Sequence, residues 1–262
     1  MGNSILSEGI ALYAKKEYGD ALAFFLSISE SAKVDGMDLA YYIGLCYARL
    51  ERYDDALLYL EQVVTNGSDY DRILQCRYIL AIIYVKSGRK RLADFELNKL
   101  LETGYNTANV LSSLAYLHWE NQDIETCLDF YSRSLEKDTD NVTALNGMGY
   151  VLAEENRDLS LALSYCKKAV SNAPKNPACL DSLGWVYFKL GLFDESRKYL
   201  FEAEKLLPES EIIFLVCAHA LIGPDHYHRE RTLRNLWNGG AGNGHPLFPK
   251  ERYPGKARPF GH

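Results

Sequence analysis

Bulky and small apolar positions alternate along this chain in a pattern that predicts pairs of short antiparallel helices. In the stretch 177–210, Leu180, Leu183 and Tyr187 supply bulk around the small Gly184, and Leu200 does the same between the small Ser196 and Ala203. Small residues at those places let two helices approach closely. Gly191 breaks the pattern between the helices and Pro208 ends the second one. The position of Gly184 recurs as Gly9, Gly44, Ala81, Ala115, Gly149, Gly184 and Ala218, in steps of 35, 37, 34, 34, 35 and 34 residues. A second small position, at Ala21, Ala56, Ala93, Cys127, Ala162 and Ser196, follows its partner by 12, 12, 12, 12, 13 and 12 residues. Two registers with one period mean that a single supersecondary unit is repeated and stacked.

The units are read at about 2–35, 37–70, 74–107, 108–141, 142–176 and 177–210, followed by a capping helix over 211–222. The first departs from the pattern at Glu8, where an apolar residue is usual, so its first helix is expected either to fray or to be capped by something absent from this chain. His118 stands at a bulky position of the fourth and is read as a core residue with a partner. The fifth has one extra residue in its EENRDLS turn and regains register at Ala162. Residues 223–238 keep Tyr227, Leu233, Leu236 and Trp237 but place Glu230 at the small position, which fits a degenerate seventh repeat or a polar cap. From Gly239 the period is lost, and 239–262 is expected to be a flexible basic tail.

The sequence Leu180-x2-Leu183-Gly184-x2-Tyr187, with Ser196, Leu200, Ala203 and Pro208 at matching spacings, resembles the tetratricopeptide repeat (TPR). The resemblance implies an all-α fold, a right-handed superhelical solenoid of six helix-turn-helix repeats. It also implies that the first helix of each repeat lines a concave face, mainly through the residues three before and one and four after the first small position. Those positions place Tyr41, Tyr78, Tyr116, Trp119, Asn146, Tyr150, Asp181, Trp185 and Phe188 on that face, with Leu45, Ala48, Ile82, Val85, Ser112 and Ala153 between them. A family subgroup clamps the C-terminal carboxylate of chaperones through a lysine on this face. Here the lysine position holds Leu6, Tyr41, Tyr78, Ser112, Asn146 and Asp181, so such a clamp is not expected. The stretch 144–191 resembles the later repeats of bacterial TPR proteins, several of them envelope-associated assembly factors, and implies a bacterial source.

Charge adds an asymmetry. Residues 223–262 hold seven Lys or Arg and three Asp or Glu, a net +4, so of the overall −6 the first 222 residues carry −10. The six cysteines are scattered with neither C-x-x-C pairs nor metal-ligand spacing, which suits buried thiols in a reducing compartment. The start MGNSILSEGIALY lacks the features of a signal peptide, and no apolar run reaches membrane-spanning length. A cytoplasmic location is therefore expected, with a periplasmic or envelope-associated one as the alternative if a leader had been removed.

Catalytic motifs are missing from the sequence: there is no P-loop, H-E-x-x-H or G-x-S-x-G. Gly240, Gly242 and Gly244 follow no strand and open no helix, so they fit a linker. Asp225, His226, His228, His245 and His262 are spaced too loosely for a designed metal site. Sequons at Asn66 and Asn141 fall in turns between repeats. No enzyme activity, cofactor or metal is expected. The expected role is a scaffold or adaptor that binds a protein or peptide partner through stiff aromatic side chains with polar handles. Trp119 and Phe188 equally fit packing between repeats. The alternative of a different class is a nucleic-acid-associated regulator using Lys250, Arg252, Tyr253, Lys256, Arg258 and Phe260 of the tail.

Overall fold

The computed structural model describes residues 2–29 and 33–206. The expected capping helix, degenerate seventh repeat and tail lie outside the described residues, as do Pro208 and Cys217. The described residues form twelve α-helices: α1 (Gly2–Ala14), α2 (Tyr18–Ser27), α3 (Gly36–Arg49), α4 (Tyr53–Asn66), α5 (Tyr70–Lys86), α6 (Lys90–Glu102), α7 (Ala108–Glu120), α8 (Ile124–Lys137), α9 (Val142–Glu154), α10 (Leu159–Asn172), α11 (Pro177–Lys189) and α12 (Phe193–Glu204). The odd-numbered helix of each pair packs on its even partner, on the next pair and on the following odd helix. That is a TPR solenoid: the first helices form the inner layer and the second helices the outer one.

Close approach within each pair follows from the small positions. Ala21, Ala56, Ala93, Cys127, Ala162 and Ser196 are all 0% exposed. A Cβ on Gly44 would lie 2.7 Å from Leu60 Cδ2, and one on Gly184 would lie 2.7 Å from Leu200 Cγ. Ser196 uses its place well, donating from Oγ to the Gly184 carbonyl at 2.8 Å across the pair. A second glycine in the fifth unit, Gly147, works between repeats. The ring of Tyr131 from α8 lies so near that an added Cβ would sit 2.2 Å from its Cζ.

Each first helix ends in the same way. Lys16, Glu51, Gly88, Gln122, Asn156 and Gly191, all seven residues after the first small position, have positive φ between 52° and 75°. The following backbone N–H closes back on the carbonyl five residues earlier, at 3.0 Å for Glu17 to Leu12, 3.0 Å for Arg52 to Tyr47, 2.8 Å for Arg89 to Tyr84, 2.9 Å for Asp123 to His118, 2.8 Å for Arg157 to Leu152 and 3.0 Å for Leu192 to Tyr187. A left-handed residue with that bond terminates a helix and reverses the chain. The extra residue of the fifth unit is absorbed just after this turn, where Asp158 also takes a positive φ of 34° and caps α10 through Leu161 N.

The first helices also begin alike. Asp35, Asp69, Thr107, Asn141 and Asn176 cap α3, α5, α7, α9 and α11 with their side chains. Satisfying the orphan N–H groups there leaves the loops between repeats short. Asn141 does more than cap. It lies in a buried polar cluster in which Ser112 Oγ and Ser134 Oγ are 2.8 Å apart and Asn141 Nδ2 donates to Asn109 Oδ1 at 2.8 Å. The cluster ties α7, α8 and α9 together.

A candidate concave binding face

The residues expected on the inner layer do lie on the odd-numbered helices, with unequal access. Tyr41 is 9% exposed and Trp119 is 8% exposed, so both rings belong largely to the packing between repeats. Tyr78, Tyr116, Asn146, Tyr150, Asp181, Trp185 and Phe188 are half-buried. Ser112 points into the buried cluster and accounts for one gap in the row.

In the first three repeats the polar groups of this face are used internally. Tyr41 donates to Gln75 Oε1 at 2.5 Å, joining α3 to α5. Burial is the main cause that pushes the Tyr41 hydroxyl up to about 12. Arg72 pairs with Asp38 and, at 3.3 Å, with Asp69, and its guanidinium lies 5.2 Å from the centre of the Tyr41 ring. Arg49 Nε donates to the Tyr13 hydroxyl at 3.2 Å. Tyr78, whose hydroxyl is also pushed up by burial, bonds to Ser113. A shallow cavity of about 340 Å³ opens beside Leu6, Ile10, Asp38, Tyr42 and Arg72.

From α7 onward the face is aromatic. Tyr116 and Trp119 have ring centres 6.0 Å apart, and Trp119 meets Tyr150 edge to face at 5.7 Å. Trp185 stacks on Phe188 at 5.3 Å, and the Lys189 ammonium lies 5.1 Å from the Trp185 ring centre. The Tyr150 hydroxyl donates to Glu154 Oε2 at 3.3 Å. Here, too, stand buried polar atoms with no hydrogen-bond partner: Asn146 Oδ1 and Trp185 Nε1. An unmade bond at a buried polar atom costs about 1–3 kcal/mol. Glu120 Oε1 is a third such atom, but its carboxylate is 6% exposed and held by Lys90 at 2.8 Å through the other oxygen.

The remaining chemistry is subdued. Cys46, Cys76, Cys127, Cys166 and Cys179 are unpaired and buried, and burial pushes their thiols up to about 11 or 12. His118 has its expected partner: Nδ1 lies 3.0 Å from Asp123 Oδ2, and the ring stacks on Phe130 at 5.3 Å. Hydrogen bonds to Thr126, with a smaller share from His118, hold the Asp123 carboxyl below its usual range. Among the described residues no group of three or more His, Cys, Asp or Glu is placed to hold a metal ion. The His-rich segment and the basic tail residues lie outside the described residues. No described helix is long and apolar enough to cross a membrane.

The register missed three elements of this face. Neither the unpaired atoms of Asn146 and Trp185 nor the contact between Tyr131 and Gly147 has a signal in a single sequence. The Ser112 cluster has a faint one, a run of small polar residues at positions that are otherwise apolar.

Comparison with known proteins agrees with this architecture. A tetratricopeptide-repeat family model matches residues 6–71. A TPR repeat-containing protein of Pseudomonas aeruginosa is 26% identical over 161 residues, which are 62% of this chain and 27% of that protein. Mouse tetratricopeptide repeat protein 21A is 25% identical over 179 residues, 68% of this chain and 13% of that protein. The chain thus spans about a quarter or less of the length of these curated relatives. Among solved structures, the type IV pilus biogenesis factor PilW superposes with a TM-score of 0.58 at 14% identity, covering 77% of this chain and 94% of its own. A thermophilic TPR protein of Thermus thermophilus gives 0.56 at 18% identity, covering 71% and 98%. The Pseudomonas relative agrees with the bacterial character implied by the later repeats. With a doubled 34-residue register, six described helix pairs whose first helices each end in one left-handed turn, and a matching family model over the first two pairs, the chain has the tetratricopeptide-repeat fold and is similar to proteins of that family.

Proposed function

We propose that the protein is a non-catalytic scaffold or adaptor that holds a peptide or helical segment of a protein partner against the concave face of its later repeats. The single observation that carries this is the partly open aromatic row of Tyr116, Tyr150 and Trp185 at equivalent inner-layer positions of three consecutive repeats, with Phe188 stacked on the last. Stacked repeats present the same helix position to the same side, so such residues line up along the solenoid. Half-buried Tyr and Trp are already ordered in the free chain, and they lose little entropy when a partner covers them. TPR domains generally bind protein partners, and the described cysteines are buried thiols whose pKa burial raises, so they are not poised as nucleophiles.

The test is binding of a partner captured from the source cell to Tyr116→Ala and Trp185→Ala proteins. Removing an anchor from a groove is expected to cost roughly 2 kcal/mol or more of affinity. Melting is expected to change less than binding, because both rings are partly open. Wild-type affinity in both variants would move the search to the convex face or the tail.

A further inference from the structure

The joints between consecutive repeats are not equally closed. Each outer helix lies against the next inner helix, and among the described pairs α6 lies against α7 least closely. The connection there, residues 103–107, is also built differently. Between the second and third, fourth and fifth, and fifth and sixth repeats no connecting residue has a positive φ. Between the third and fourth, Gly104 takes a φ of 80°, and the Tyr105 N–H closes on the Leu100 carbonyl at 2.9 Å. This is the reversal that ends the first helices, here placed at the end of an outer one. A Cβ on Gly104 would meet nothing within 4 Å, so that side of the loop faces open space. A cavity of about 460 Å³ lies beside it, between residues 104–108 and Lys137 and Asp138 at the C-terminal end of α8.

Polar ties across the joints differ in the same sense. The second and third repeats are joined by Tyr41 to Gln75, Arg72 to Asp38 and Tyr84 to Glu61. The fourth and fifth are joined on both edges. Arg157 meets Glu125 at 2.7 Å beside the turns, while beside the connecting loop Lys168 donates to the Thr139 carbonyl at 2.7 Å and Asn172 to the Asp140 carbonyl at 3.2 Å. The third and fourth have Lys90 with Glu120 at 2.8 Å beside the turns and Tyr78 with Ser113 in the inner layer. At the loop edge Ser134 reaches the Ala108 carbonyl within the fourth repeat, and among the described residues no hydrogen bond or ion pair ties 103–106 to α8. Val110, Leu114 and Leu117 of α7 still bury against the first three repeats, so the joint can rock without parting.

We propose that the joint between the third and fourth repeats is a hinge: the fourth to sixth repeats rock as one body on the first three, pivoting beside the Lys90–Glu120 pair while the loop-edge cavity widens and narrows. The loop 103–107, with a glycine where the left-handed region carries no steric cost, absorbs the change in backbone angles. The inference is independent of what the concave face holds. Its consequence is that the half with internally paired polar groups and the aromatic half have no single fixed curvature, so a partner spanning both selects one angle from several.

The experiment places spin labels on the full chain through p-acetylphenylalanine, which leaves the native cysteines untouched, and measures distance distributions by pulsed electron paramagnetic resonance. Thr65, Glu102, Glu136, Ser171 and Lys205 are exposed and equivalent, each nine residues after the second small position of its repeat, at the loop-edge end of an outer helix. The pairs Thr65–Glu136 and Glu102–Ser171 both span the hinge, whereas Glu136–Lys205 spans the two later joints. The first two are expected to give wide or two-peaked distributions and the third a narrow one. Equal widths in all three would overturn the hinge. So would widening in only one of the spanning pairs, which would place the looseness at a neighbouring joint. Replacing the pin by a neutral pair, Lys90→Met with Glu120→Gln, leaves no buried charge. With the helical circular dichroism kept, it is expected to widen both spanning distributions further and to leave Glu136–Lys205 as it was. Unchanged spanning widths in that folded variant would overturn the pivot at the turn edge.

Discussion

Glycine and alanine are not interchangeable at the contact points of this solenoid. Gly147 and Gly184 both face side chains that leave less than ordinary van der Waals room for a Cβ, but the neighbours differ in what they can do. Opposite Gly184 stands the aliphatic side chain of Leu200, which an added Cβ would meet at 2.7 Å. Tyr131, opposite Gly147, is 4% exposed with its ring wedged between α8 and α9. Overpacking a core costs typically about 1–3 kcal/mol. We therefore expect Gly147→Ala to lower unfolding stability in a urea titration by an amount in that range, and by more than Gly184→Ala. Equal, small effects would mean that the Tyr131 ring has room to move. Gly184→Leu is expected to exceed both, since it puts a whole branched side chain where even a Cβ would lie 2.7 Å from Leu200.

At the scale of the element, the six left-handed turns form a natural experiment. Two carry glycine, Gly88 and Gly191, and four carry Lys16, Glu51, Gln122 and Asn156. An L-residue other than glycine pays roughly 1–2 kcal/mol for the left-handed region, partly offset because glycine gives the unfolded chain more freedom. Glu51→Gly and Gln122→Gly are thus expected to raise the melting midpoint, each by a stability gain of roughly 0.5–1 kcal/mol. Gly191→Ala should shift it the other way by a similar amount. At the opposite helix end, Asn176→Ala removes the acceptor for the Ala178 N–H and is expected to cost about 1 kcal/mol. A destabilised Glu51→Gly protein would show that the Glu51 side chain, 4.0 Å from Lys86, contributes more than its backbone costs.

Across the whole molecule, the buried thiols give stability a defined alkaline limit. Burial raises Cys46, Cys76, Cys127, Cys166 and Cys179 from an ordinary 9.0 to about 11 or 12. A group whose folded pKa is raised contributes stability that is complete below the unfolded pKa and is lost as pH rises toward the folded value. Unfolding free energy should therefore be flat with respect to these groups below about pH 9 and fall steeply between about pH 9 and 12, with Tyr41 adding to the fall. Denaturant titrations at stepped pH check this, and Cys76→Ala combined with Cys166→Ala should flatten the slope. Because the five thiols occupy repeats two to six, their rates of modification by a thiol reagent also report how each repeat opens. A gradient rising toward the chain ends is expected for a molecule held together by nearest-neighbour contacts.

Much of this architecture was written in the spacing of a few residues. Gly9, Gly44, Ala81, Ala115, Gly149 and Gly184, with their partners twelve or thirteen residues on, determined the helix pairs, their number and their inner layer, because close packing tolerates only small side chains there and a stacked repeat must reuse the same positions. The sequence likewise determined that Tyr, Trp and Asn stand on the inner helices. Tertiary structure alone decided what those residues are free to do. Trp119 sinks against Tyr150 and Tyr41 bonds to Gln75, while Trp185 and Asn146, at comparable positions, keep unpaired polar atoms. Register fixes which side of a helix a residue faces. Its access and its hydrogen bonds depend on neighbours more than thirty positions away in the chain, whose side chains are not repeated with the period that places them.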